Sequence, residues 1–310
     1  MSAAWLAEKS QEKWKPKFFS DAPDTRFPWA CQWELTCRCN LKCVMCYTDC
    51  FNTPERIRQE LSTQEIFRIL GELQEAGCME IVFTGGEPMS RPDFMEIYDE
   101  AHRQGFFITL FTNGTLITPP IADHWAVARP KSVEISLHGI SREVFEGVTQ
   151  IPGSLQRCLS AIQLLINHGI PVVLKTVGLP LNKGEVLAIK RYAESLGTDV
   201  QWKFGQYMRD DLARSGAPSR FQLSEEELWD IEKQDPDLCK AKSEEIPRAE
   251  QDKTSCGGGK RKFHIDAYGQ LQLCSNNRRA GYDLRRGSLR HGFYEALPDF
   301  PCPKKSNCRG

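Results

Sequence analysis

Hydrophobic positions along this chain follow two alternating rhythms. Gln32–Thr36, Met79–Thr84, Phe106–Thr112, Val133–Leu137, Val172–Val177 and Val200–Phe204 are short runs rich in β-branched or aromatic residues, each closing near Gly, Asn or Pro, and they predict six strands. The segments between them turn to a helical period. Ser62-Thr63-Gln64-Glu65 forms a capping box ahead of Ile66, Ile69, Leu70 and Leu73, with Gly77 as the stop signal. Leu155, Leu159, Ile162 and Ile166 form a second stripe that ends at Gly169 before Pro171. Six strand–helix repeats with short links predict an α/β fold with a parallel sheet, since parallel neighbours need crossover helices. Six repeats are too few for an eight-fold barrel, so an open or partial barrel is expected, with its chemistry at the carboxyl ends of the strands.

The pattern breaks after Phe204. Residues from about Met208 to Ser255 are charged and hold one capped helix, starting at Ser224 ahead of Leu228 and Ile231. From Cys256 the chain turns to Gly, Cys and basic residues, with a hairpin expected over His264–Cys274 that turns at Ala267-Tyr268-Gly269-Gln270. The first 30 residues carry Trp5, Trp14, Phe18, Phe19, Phe27 and Trp29, apolar surface expected to pack on the body. The expected organisation is an N-terminal extension (1–30), a barrel (31–207), a linker with a helix (208–255) and a small tail domain (256–310).

Composition sharpens this picture at one point. With 40 Lys and Arg against 41 Asp and Glu, the net charge of −1 lacks the basic surplus of a nucleic-acid binder. No run of about 18 apolar residues predicts a membrane span, and Met1–Ser10 lacks a signal-peptide core. The 13 cysteines stand out. An odd number without a secretion signal points to thiolates kept reduced for metal in the cytosol rather than to a disulfide framework. Six of them fall between Cys31 and Cys50, and Cys256, Cys274, Cys302 and Cys308 fall near the end.

Cys39, Cys43 and Cys46 sit just after the first strand, a spacing that lets one loop ligate three irons of a cubane and leave the fourth iron open. The spacing alone also admits zinc, although a structural zinc site takes four ligands. Thr84-Gly85-Gly86-Glu87-Pro88 follows the second strand; paired glycines let a backbone approach a ligand, and Glu87 can accept from an amine. Taken together, these motifs make the sequence resemble the radical S-adenosylmethionine (SAM) superfamily, over roughly residues 30–205 as a partial (β/α)6 TIM-type barrel. The resemblance implies a [4Fe-4S] cluster on Cys39, Cys43 and Cys46 whose open iron binds the amine and carboxylate of SAM. It implies further SAM contacts from Tyr47, from Gly85, Gly86, Glu87 and Pro88, and from Ser136. Where many relatives carry an Arg, Thr149 stands here, so the SAM carboxylate is assigned to Lys175. The implied chemistry is reductive cleavage of SAM to a 5′-deoxyadenosyl radical that removes a substrate hydrogen, with the protein aiming the radical.

The tail resembles the opening of the SPASM/twitch extension, which implies an auxiliary [4Fe-4S] cluster on Cys256, Cys274, Cys302 and Cys308; zinc ligation or plain structural thiols are the alternatives. Ser136-Leu137-His138-Gly139 and the segment after it resemble the branch that modifies ribosomally made peptides. That branch implies a precursor peptide substrate, a separate leader-peptide-binding partner protein, and a reductant such as flavodoxin or ferredoxin. Crosslinking, backbone excision by a splicease and epimerisation are the candidate outcomes. A small-molecule twitch dehydrogenase or cyclase, and a non-catalytic iron–sulfur scaffold or electron carrier, are the competing functions. His138 and His264 are read as structural, Cys37 as packing, and Lys260, Arg261, Arg278 and Arg279 as solvated surface charge.

Overall fold

A computed structural model describes residues 26–48, 53–205, 218–243, 258–278 and 280–301. Six parallel strands, β1 (Ala30–Thr36), β2 (Glu80–Gly85), β3 (Phe107–Thr112), β4 (Ser132–Ser136), β5 (Val172–Val177) and β6 (Val200–Gly205), pair in sequence order. Each lies within two residues of its expected bounds. The crossovers are α1 (Thr63–Glu75), α2 (Phe94–Arg103), α3 (Pro119–Val127), α4 (Arg142–Thr149) with α5 (Ser154–Asn167), and α6 (Val186–Ser195). Among the described residues, no helix is long and apolar enough to cross a membrane.

Alternation along the strands sorts side chains to two faces. Cys31, Trp33 and Leu35 of β1 point with Ile81 and Phe83 of β2 into the apolar core. There they meet Ile66, Ile69, Leu70 and Leu73 of α1. The Ser62 capping box forms as expected, with the Ser62 amide donating to Glu65 Oε2 at 2.7 Å. In α5 the buried face is Leu155, Cys158, Ala161, Ile162 and Leu165, so the expected stripe is displaced: Leu159 and Ile166 pack at its margin. Asp93 opens α2 but makes no cap; its carboxylate goes to the Arg91 guanidinium, while Arg91 Nη1 bonds the carbonyls of Leu35 and Leu61.

The tail joins this sheet. After α7 (Glu225–Glu232) and α8 (Pro236–Ser243), strand β7 (Lys262–Ile265) pairs in parallel with β1, setting Gln32 against His264. Then β8 (Gln270–Gln272) and β9 (Tyr282–Asp283) continue antiparallel, giving a sheet of nine strands among the described residues. The expected hairpin is present. Asp266 Oδ1 accepts the Tyr268 and Gln270 amides at 2.9 Å, and Gly269 takes a φ of 85°, where a Cβ would also meet Leu61.

Candidate active site

Cys39, Cys43 and Cys46 lie in the loop that leaves β1, half-buried and free of disulfides. Two elements hold the loop. Lys42 and Val44 donate their amides to the carbonyls of Thr149 and Val148 at the end of α4, both at 3.0 Å. At its entry Glu60 accepts from the Thr36 hydroxyl (2.6 Å) and the Cys37 amide (2.9 Å) and pairs with Arg38. Burial, with Cys46 beside it, pushes the Cys43 thiol up to about 12. Cys46 Sγ lies 3.1 Å from the Thr48 hydroxyl. Among the described residues no three His, Cys, Asp or Glu side chains close around a single ion. A four-iron cubane needs its thiolates spread more widely than one ion does, and three cysteines outside any disulfide on one anchored loop suit that donor set.

The Gly85–Pro88 turn abuts this loop directly. Gly86 and Glu87 donate their amides to the carbonyls of Thr36 and Arg38, at 2.8 and 2.7 Å. A Cβ on Gly85, whose φ is 145°, would come within 2.3 Å of Thr36 O, and one on Gly86 within 2.3 Å of Arg38 O. The close approach these glycines permit in the structure is therefore to the backbone of the cysteine loop. Glu87 is fully buried, and its carboxylate faces β3: Thr112 Oγ1 lies 2.9 Å from both oxygens and the Asn113 amide donates at 2.8 Å. Burial raises the Glu87 carboxyl to about 7 against the pull of those donors.

Sequence reasoning missed Asn113. Its Nδ2 donates to Asn40 Oδ1 at 2.9 Å and lies 3.9 Å from Cys39 Sγ, while its Oδ1 accepts from the Thr115 hydroxyl at 2.7 Å. The available signal was Thr112-Asn113-Gly114 at a strand end, where β3 delivers side chains to the same rim.

Ser136 and Lys175 are register partners on β4 and β5, and alternate with Val133, Ile135, Val172 and Leu174 of the apolar core, which places them on the opposite face of the sheet. Lys175 Nζ lies 3.1 Å from Glu134 Oε2 and 3.4 Å from the centre of the Phe111 ring, and Lys203 reaches Glu134 Oε1 at 2.8 Å. Thr149 is buried, with its hydroxyl bonded to Phe145 O (3.0 Å) and Ser154 Oγ (2.7 Å), and is unavailable to a ligand. His138 is buried, its Nδ1 accepts the Val177 amide at 3.3 Å, and desolvation lowers it to about 4.

Arg278 corrects the reading of tail charges as solvated. It forks onto Glu34, which is 1% exposed, donates to Ser275 O at 3.1 Å, and lies 5.7 Å from the Tyr47 ring centre. Of the four expected auxiliary-cluster ligands, Cys274 is half-buried beside this fork; Cys256, Cys302 and Cys308 lie outside the described residues.

A partial parallel barrel whose three-cysteine loop interlocks with a Gly-Gly-Glu-Pro turn defines a class. Residues 33–193, just over half the chain, match the family model of the radical SAM superfamily. The chain belongs to that superfamily. It is 32% identical over 173 residues to an AdoMet-dependent heme synthase of Methanosarcina barkeri, covering 56% of this chain and 49% of that protein. It is 31% identical over 198 residues to the PqqA peptide cyclase of Gluconobacter oxydans, covering 62% of this chain and 54% of that protein. The chain thus spans about half the length of these relatives. In fold it is similar to Streptococcus suis SuiB bound to precursor peptide SuiA, with a TM-score of 0.69 at 15% identity over 90% of this chain and 67% of that one.

Proposed function

We propose that this protein is a radical SAM peptide maturase, which removes a hydrogen atom from a ribosomally made precursor peptide to start a crosslinking, excision or epimerisation. The observation that carries the reading is the interlock of the Cys39–Cys46 loop with Gly85–Pro88. In this reading Cys39, Cys43 and Cys46 hold the SAM-binding [4Fe-4S] cluster, Tyr47, the backbone of Gly85, Gly86, Glu87 and Pro88, Ser136 and Lys175 contact SAM, and Cys274 belongs to an auxiliary cluster with Cys256, Cys302 and Cys308. The reduced cluster with SAM supplies a 5′-deoxyadenosyl radical, the hard chemical step.

The chain's own residues do the positioning. Glu87 and Asn113 fix the rim beside Cys39, and the α4 carbonyls fix the height of the loop. Glu134, Lys175, Lys203 and Phe111 give this face of the sheet paired charges and one aromatic ring, a surface able to orient a polar substrate without an isolated charge. A peptide is supported as substrate by the similarity of this chain to the PqqA peptide cyclase and to SuiB bound to its precursor peptide. The heme synthase relative favours a second reading, a small-molecule substrate. A separate leader-binding partner and a flavodoxin or ferredoxin reductant belong to the peptide proposal.

The test is anaerobic reconstitution with SAM, reductant and a precursor peptide encoded beside the gene. A mass change on the peptide together with 5′-deoxyadenosine supports the proposal. SAM cleavage without any change on the peptide supports the small-molecule reading. Replacing Cys39, Cys43 and Cys46 together by Ala is expected to abolish 5′-deoxyadenosine and leave part of the iron; retained cleavage overturns the assignment.

A further inference from the structure

On the tail side of β1 a cavity of about 240 Å³ opens between the barrel and the β7–β8 hairpin. Neither the three motif cysteines nor Gly85–Pro88 is among its described lining residues, and Arg278 of its wall lies 5.7 Å from the Tyr47 ring centre. Glu34 and Arg278 face it but neutralise each other through their fork. Gln272 differs. It is 4% exposed, lines the cavity, and its Oε1 is buried without a hydrogen-bond partner among the described residues. An orphaned acceptor of this kind is costly, and native proteins retain few of them.

A second acceptor sits nearby. Asp266 uses Oδ1 for the two turn amides, and its Oδ2 takes no hydrogen bond among the described residues. On the same wall Tyr268 brings a hydroxyl and Arg56 a guanidinium. The lining therefore offers acceptors and donors together, and its formal charges balance: Glu34 with Arg278, Asp266 with Arg56. A bound cation would lie against two guanidinium groups and a bound anion against two carboxylates. A neutral group carrying both N–H and C=O meets neither penalty. The volume exceeds that of several waters, each about 30 Å³.

We propose that this cavity is a subsite for an amide of the substrate peptide, either a side-chain carboxamide or a backbone peptide unit, with Gln272 as its principal partner. The proposal rests on the peptide-maturase reading and names what the peptide must present beside its reacting residue.

Three isosteric probes test it on the reconstituted protein by ligand-observed NMR: acetamide for a side-chain carboxamide, N-methylacetamide for a backbone unit, and methyl acetate, which lacks the N–H. At least one amide is expected to bind several-fold better than the ester, and Gln272→Leu is expected to erase the difference. Gln272→Leu is also expected to raise Tm by roughly 2–4 °C, because an apolar side chain of similar size replaces an unpaired amide. Gln272→Met serves if the leucine variant does not fold. Equal binding of amide and ester, no amide binding, or a fall in Tm in both variants overturns the proposal. Formation of 5′-deoxyadenosine by the unsubstituted protein is measured alongside. Its absence counts against the radical SAM activity alone, whereas amide binding reports on the cavity alone.

Discussion

Arg278, four residues beyond Cys274, closes a two-pronged ion pair on Glu34 in the middle of β1. This contact joins positions 244 residues apart and is reinforced by His264, whose Nε2 lies 3.7 Å from Glu34 Oε2. Burial alone would raise the Glu34 carboxyl, but His264 and Arg278 outweigh it and hold the group well below the usual carboxylate range. Arg278→Met would leave that charge buried with only His264, at a cost of about 3–5 kcal/mol. Arg278→Lys should recover part of it, since an ammonium cannot reproduce the fork.

The same pair sets an acid limit. Because the folded pKa of Glu34 is depressed, its stabilisation is fully present above the unfolded value of about 4.3 and is lost as pH falls below it. Denaturant melts of the wild-type protein should lose stability on acidification through this range, and Arg278→Met should show a flatter profile. Parallel profiles for the two proteins would refute the linkage.

Glu87 predicts the opposite slope. Its carboxyl is raised to about 7 by burial, so the folded state binds the proton more tightly than the unfolded chain does. Its contribution therefore makes stability fall as pH rises from about 4.3 to 7. Glu87→Gln should remove that fall and cost about 1–3 kcal/mol at low pH, because an amide cannot accept from the Thr112 hydroxyl and the Asn113 and Met89 amides together. Melts at several pH values measure both effects.

Much of this arrangement was legible in the residues, and the reasons separate by range. The six barrel strands are local runs bounded by Gly, Asn or Pro, and the α1 box lies within four residues, so short-range pattern suffices. The motif cysteines and Gly85–Pro88 were likewise readable as neighbours, since sequential parallel strands end at one rim. What escaped notice needs long-range pairing. Nothing near Lys262 announces that β7 adds to the free edge of β1, and without that pairing Arg278 reads as one more surface charge. The direction of the Glu87 side chain could not be read either, because an exposed turn and a buried one share the same letters; the carboxylate turns inward onto Thr112 and Asn113 at the end of β3.

Thr149 separates a structural role from a ligand role. Its hydroxyl bridges Phe145 O and Ser154 Oγ, and its carbonyl receives Lys42 of the cysteine loop. Thr149→Val keeps the shape and removes the hydroxyl, so stability should fall by about 1–2 kcal/mol. SAM affinity, read from the change in the cluster's electron paramagnetic resonance spectrum on adding SAM, should stay within about twofold, equivalent to roughly 0.4 kcal/mol. A tenfold weakening of SAM binding in a stably folded variant would show that Thr149 does more than anchor the loop.

Glycine substitutions test whether Gly85–Pro88 serves the cysteine loop as the geometry indicates. An added Cβ at Gly86 would strike the Arg38 carbonyl, a backbone atom that cannot rotate away. Gly86→Ala must therefore separate the turn from the loop or abandon the 2.7 Å bond from Glu87 N to Arg38 O. Gly71, in the middle of α1, has nothing within 4 Å of its would-be Cβ, so Gly71→Ala should stabilise by about 0.5–1 kcal/mol. The pair controls for the general effect of adding a methyl group. Iron content after anaerobic reconstitution should fall in Gly86→Ala and be unchanged in Gly71→Ala, while Tm moves down in the first and up in the second. Full iron loading in Gly86→Ala would mean that the loop holds its thiols without the turn, and the interlock would lose its place as the organising contact of the site.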